Sequence, residues 1–241
     1  MNGRDLTLGI VAGLAVAGAL TRRRGSRATD VTSTPAFKRW FGDSKVVDER
    51  GDPLVVYHGT TAGDFDAFRP NYRKGEELGF GIHFAKDRDF AVKYAQDPTV
   101  ARKGKSPKVY EVYLSIQRPL VADAIVIEGT PEFTLAKKLA GNKLFTSPGE
   151  DGLLQAYMQN AIDHTTAPRA EKLIREAGYD GIRYEAQLST SEWTGRGLSL
   201  ARVASSRSYI VFNPSQIKSA IGNSGAFDPA DPRISFNRET R

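Results

Sequence analysis

The chain has 241 residues, enough for one ordinary domain or one domain with an appendage. Its apolar share of 40% supports a sizeable core, and the absence of cysteine excludes a disulfide framework, a thiolate metal site and a thiol nucleophile. The formal net charge of +6 is largely local, in Arg22, Arg23, Arg24 and Arg27 and in Arg102, Lys103, Lys105 and Lys108; without interleaved aromatic residues these clusters read as solvated surface, and no specific nucleic acid is expected as a partner.

Residues 6–20 are apolar except Thr7 and are followed at once by the first arginine cluster. The run is shorter than the roughly 20 residues that cross a bilayer comfortably. Three readings stay open: a short membrane helix with the arginines on the cytoplasmic side, a signal peptide cut near Ala17-Gly18-Ala19, and a helix packed in a larger assembly. Residues 1–33 therefore read as an apolar leader with a polar linker, residues 34–222 as the folded domain, and residues 223–241 as a loosely packed tail.

The domain opens with Thr34-Pro35, an N-cap followed by Pro at the first helical position, and Gly42 ends that helix. Residues 54–58 form a buried-strand run ending at Gly59. Residues 108–116 alternate, with Tyr110, Val112, Leu114 and Ile116 on one face, and residues 208–212 form a third strand. Helices are expected over 86–95 with Asp87 as cap, over 130–140 with Gly141 as stop, over 151–162, and over 166–177 before Gly178. Strands and helices mix without regular βαβ alternation, so the class is α+β.

Two of the three histidines lie in strands beside glycines: His58 in Tyr57-His58-Gly59-Thr60, and His83 in Gly81-Ile82-His83-Phe84-Ala85. A polar ring at a strand end, next to a residue that admits close backbone approach, suits a ligand pocket; a hydrogen-bonded core histidine is the plainer alternative. Tyr94 follows His83 by eleven residues, on the helix expected over 86–95. A zinc site made from His58, His83 and His164 lacks ligand spacing, and no metal is expected. No Gly-x-Ser-x-Gly elbow or P-loop is present.

Together, His58-Gly59-Thr60, Gly81-Ile82-His83-Phe84-Ala85 with Tyr94, and Ser208-Tyr209-Ile210-Val211-Phe212 resemble the three blocks of the poly(ADP-ribose)-polymerase/diphtheria-toxin class of ADP-ribosyltransferases. Phe41-Gly42-Asp43-Ser44, Gly178-Tyr179-Asp180-Gly181-Ile182 and Asn213-Pro214-Ser215-Gln216-Ile217 are more closely similar to the transferase-like domains of phage and mobile-element polyvalent proteins. The resemblance implies a split β-sandwich that binds NAD between two half-sheets. It assigns Gly59 to the nicotinamide carboxamide, His58 to a ribose hydroxyl and Tyr94 to stacking beneath the nicotinamide. Thr60, Gly81, His83, Phe84 and Ala85 would complete the cofactor pocket, under a donor loop over residues 69–80 that carries Arg69, Arg73 and Lys74.

Two departures stand out. His83 replaces the tyrosine of the second block, and Ser208 replaces the glutamate of the third. Breaking the nicotinamide–ribose bond builds positive charge on the sugar, which a carboxylate stabilises and a serine does not. Glu185, with Glu192 behind it, is the candidate substitute. The expected function is mono-ADP-ribosylation of a host or phage protein by a phage or mobile-element enzyme, held to a membrane or virion by the leader. The alternative is a catalytically inactive transferase fold that serves as a structural or NAD-binding protein.

Overall fold

The computed structural model describes residues 31–70, 80–96, 107–141, 156–163, 165–194, 197–223 and 227–235. The apolar run at 6–20 lies outside them, and among the described residues no helix is long and apolar enough to cross a membrane. Helix α1 (Pro35–Phe41) starts where the sequence places it: the Thr34 hydroxyl accepts from the Phe37 N–H, Pro35 occupies the first turn, and the chain leaves at Gly42. Its buried face of Phe37, Trp40 and Phe41 meets Phe227, with the Phe37 ring 5.0 Å from Phe227 and 5.1 Å from Tyr113. The Trp40 indole N–H donates to the Ser215 carbonyl, tying α1 to the chain beyond the last long strand.

Phe227 belongs to the segment expected to be a loose tail, and its described part is packed. Phe227 and Ile234 are buried, the Ser219 N–H donates to the Ile234 carbonyl, and Ala67 pairs with Arg233. The buried Lys218 ammonium donates to the carbonyls of Asp231 and Arg233. Burial pulls the pKa of this amine below its ordinary value, against the attraction of Asp231 and Asp228. The polar composition of the segment hides two apolar anchors, each stabilising by about 2 kcal/mol on burial.

The strands are β1 (Val56–Thr60), β2 (Ile82–Ala85), β3 (Lys108–Leu114), β4 (Pro119–Val121), β5 (Ile125–Val126), β6 (Ala156–Tyr157), β7 (Gly181–Thr194), β8 (Gly197–Val211) and β9 (Ile217–Ser219). Between them run α2 (Arg88–Gln96), α3 (Pro131–Ala140), α4 (Met158–Asp163) and α5 (Ala167–Glu176). Seven strands form one sheet in the order β4-β7-β8-β2-β1-β3-β9, and β5 pairs with β6 apart from it. Pairing in the large sheet is antiparallel except between β4 and β7. The class is α+β, as the mixed element order implies.

The sheet is two halves joined by a narrow seam. β1 shares five paired positions with β3, and β2 shares four with β8, but β1 and β2 meet at the single pair Tyr57↔Ala85. The two cores lie against opposite faces of the sheet, and the second draws on both halves. Ile182 and Ile210 pack with Phe133, Leu139, Met158 and Ile174 of α3, α4 and α5, whereas Val56, Ile82, Phe84, Val112, Tyr209 and Val211 gather in a second cluster.

Three expected elements differ. The first strand runs through Gly59 to Thr60 instead of stopping at the glycine, because β3 pairs with it over that whole length. Where one helix was expected over 151–162, a short strand that pairs with β5 precedes α4; residues 151–155 lie outside the described set. The strand expected over 208–212 is the end of a 15-residue strand, which pairs with β7 out to Thr194↔Gly197. Because β8 meets β2 only at residues 208–211, the rest of this hairpin extends past its neighbours in the sheet.

Candidate functional site

The strands carrying the three sequence blocks lie side by side in the order β8-β2-β1, so positions up to 150 residues apart fall on neighbouring strands. Register then sorts them by face, since residues paired across strands share a face and successive residues alternate. Tyr57, Ala85, Ser208 and Tyr184 form one cross-strand row. Gly59 and His83, each two residues along from that row, share its face. His58, Phe84, Tyr209 and Glu185 fall on the other.

Gly59 has a structural reason for being glycine. A Cβ there would lie 1.9 Å from the Ala91 carbonyl oxygen and 3.2 Å from the Ala95 Cβ, so α2 crosses directly over β1 only because the side chain is absent. Tyr94 sits on the same helix at the spacing that groups it with Ala91 and Ala95, and is half-buried. Gly81 is needed for a different reason: its φ of 76° is left-handed, and a Cβ would meet Ile210 at 2.4 Å.

His58 closes the seam where β1 and β2 part. Its Nδ1 lies 2.7 Å from the His83 main-chain carbonyl. A carbonyl only accepts, so Nδ1 carries the proton and, in the neutral ring, Nε2 is an acceptor. The ring is half-buried against Phe68 and Phe84, with centroids at 4.9 and 5.5 Å. Burial pushes its pKa down to about 4, and the neighbouring His83 adds to the fall while the carbonyl opposes it. His58 is therefore neutral at pH 7, with an acceptor nitrogen suited to a hydroxyl donor.

His83 is held at both nitrogens. Nε2 lies 3.1 Å from the Phe80 carbonyl and so donates to it; Nδ1 of the neutral ring then accepts from the Tyr184 hydroxyl at 2.9 Å. Both side chains are half-buried. Tyr184 was not among the candidate residues: it is 101 positions from His83, and neither spacing nor periodicity couples the two.

Ser208 is 2% exposed, and its hydroxyl donates to the Ser206 carbonyl two residues back on the same strand. Its neighbour Ser206, also buried, accepts from the Asp87 N–H, which ties the start of α2 to β8. Phe84 and Ala85 are buried in the sheet rather than lining an open surface, and the Thr60 hydroxyl accepts from the Ala62 N–H in a local turn. Glu185 lies opposite Arg207, on the face away from Ser208, Tyr184 and His83. A carboxylate there does not replace one at position 208, because the sheet lies between them. Of the donor-loop cations, Arg69 is described, and Arg73 and Lys74 lie outside the described residues, as does His164.

A two-half sheet with His58 at the seam and the second and third blocks on adjacent strands defines an ADP-ribosyltransferase-type domain. The sequence model of one family, ADP-Ribosyltransferase in polyvalent proteins, matches residues 48–227, three-quarters of the chain, and the protein belongs to that family. No curated protein and no solved structure matches the chain.

Proposed function

We propose that the protein binds NAD at the seam between the half-sheets and transfers single ADP-ribose units to a protein acceptor. The observation that carries this reading is the His58 bridge. A neutral imidazole, fixed in one tautomer by the His83 carbonyl, offers an acceptor nitrogen where the strands separate. Family membership supports the transferase class. In the reaction, the N-glycosidic bond of NAD breaks and nicotinamide leaves with the bonding pair. An acceptor nucleophile bonds to the ribose carbon, and its proton passes to solvent. Tyr94, on the helix above Gly59, is the aromatic group suited to the flat pyridinium. Origin in a phage or mobile element, and attachment to a virion or membrane through residues 6–20, belong to the same proposal.

A second reading, an NAD-binding or structural protein without turnover, is favoured by one observation: the third-block position holds a buried serine bonded to its own strand. One experiment separates the two. The full chain is incubated with NAD labelled in the adenylate, and free nicotinamide and protein-bound label are followed, alongside His58→Asn. Release and transfer that His58→Asn abolishes support the transferase. Saturable NAD binding without release supports the NAD-binding form of the second reading, and wild-type protein that does not bind NAD removes the transferase and leaves the structural form.

A further inference from the structure

After β1 ends at Thr60, the chain folds back on its own sheet. The Phe65 N–H donates to the Tyr110 hydroxyl, which donates in turn to the Gly63 carbonyl, and the Phe65 and Tyr110 rings stack at 4.5 Å. Tyr110 is the β3 partner of His58. The fold-back sets the buried Phe68 ring edge-on to Phe65 and to His58, each at 4.9 Å between centroids. The directed tie of His58 is the bond from Nδ1 to the His83 carbonyl. A ring held by one hydrogen bond can still turn about it unless packing locks its rotamer. Phe84 and Phe68 supply that packing. Phe84 is fixed within β2, whereas Phe68 lies eight residues past β1 and depends on what holds its segment.

The C-terminal segment holds it. The Ile234 N–H donates to the Asp66 carbonyl at 2.7 Å, and Arg233 pairs antiparallel with Ala67. In the other direction, the Ile234 carbonyl accepts from the Ser219 N–H of β9 at 2.8 Å. One residue thus stitches the last strand of the sheet to the segment that carries Phe68. Lys218, also on β9, secures the stitch by donating to the carbonyls of Asp231 and Arg233. Phe68, Phe84 and Ile234 belong to one buried cluster, on the face of the sheet that carries His58. We propose that residues 231–234 are a strap that positions His58 for NAD by holding Phe68 against its ring; this rests on the NAD reading above. With Phe68 in place, the acceptor nitrogen of His58 keeps one direction, and a ribose hydroxyl meets it already aligned. With the strap loosened, the ring turns and water reaches it. The strap works through packed side chains and takes no part in the chemistry itself.

The test compares wild type with Ile234→Ala in the full chain. NAD affinity is measured by titration calorimetry, the His58 ring is followed by NMR from acid to neutral pH, and thermal melting checks the fold. Ile234→Ala is expected to weaken NAD about fivefold, as one misaligned hydrogen bond would. The His58 ring is expected to titrate nearer the ordinary 6.5 than its wild-type value of about 4, because loosening Phe68 admits water. NAD affinity within about twofold of wild type overturns the proposal and leaves the NAD reading intact. So does weaker affinity with His58 titrating as in wild type, which marks a general loosening of the domain. If Ile234→Ala does not melt cooperatively, Lys218→Met, which cuts both ammonium bonds to the strap, is judged by the same two readings. Wild type that does not bind NAD overturns the NAD reading itself, and this proposal with it.

Discussion

On the β1 side of the seam, the residues of interest are held by the main chain. His58 donates to a carbonyl, and Gly59 is pressed against the backbone of α2. On the β2-β8-β7 side His83 and Ser208 also bond to main-chain carbonyls, and what is added is a bond between two side chains, His83 and Tyr184. A main-chain constraint admits almost no substitution, because moving it moves a helix or a strand. A side-chain constraint can be rebuilt from a different pair of residues. The contact of Gly59 with the α2 backbone cannot be rebuilt from another side chain, whereas the bond between His83 and Tyr184 can.

The comparison breaks most sharply at Gly59. Gly59→Ala is expected to destabilise the fold by about 3 kcal/mol or more, since its Cβ must displace the Ala91 carbonyl. Chemical denaturation measures it, and a loss below about 1 kcal/mol would mean that α2 moves freely over β1. For the same reason, a large side chain at 59 is expected to unfold the protein rather than only fill its cleft. The β1 half also has a remote support. Phe227→Ala, which opens the aromatic cluster under α1, is expected to cost about 3 kcal/mol; unchanged stability would show that the C-terminal segment does not brace the domain.

The His58 bridge sharpens the comparison through pH. Its folded pKa of about 4 lies below the ordinary 6.5, so between those values the unfolded chain binds a proton that the folded ring refuses. Stability therefore rises with pH across that window and falls as acid is added. His58→Asn keeps a donor and does not titrate, so melting temperatures from pH 4 to pH 7 should show a shallower slope; a slope equal to wild type would place the acid sensitivity elsewhere. The smallest effect is expected across the seam, at Ser208. Ser208→Ala removes one local hydrogen bond, about 1 kcal/mol at most, and should leave nicotinamide release unchanged. A large fall in release with the fold intact would make the serine a reacting group.

Much of the local architecture was legible in the residues themselves. Thr34-Pro35 with Gly42 and Thr130-Pro131 with Gly141 bracket α1 and α3, because capping chemistry acts over three or four neighbours. The alternation through Tyr110, Val112 and Leu114 marks β3 for the same local reason. The three blocks, and with them the family, were also readable from the sequence. Tertiary structure alone decided the rest. The face on which Glu185 lies depends on pairing with β8, and a one-residue change of register would reverse it. The packing of the C-terminal segment is not legible locally because the partners of Phe227 and Ile234 are distant in sequence. The contact of Tyr184 with His83 forms only when folding sets β7 two strands from β2. Local chemistry is written in neighbouring residues, but a contact across 101 positions exists only once the sheet has formed.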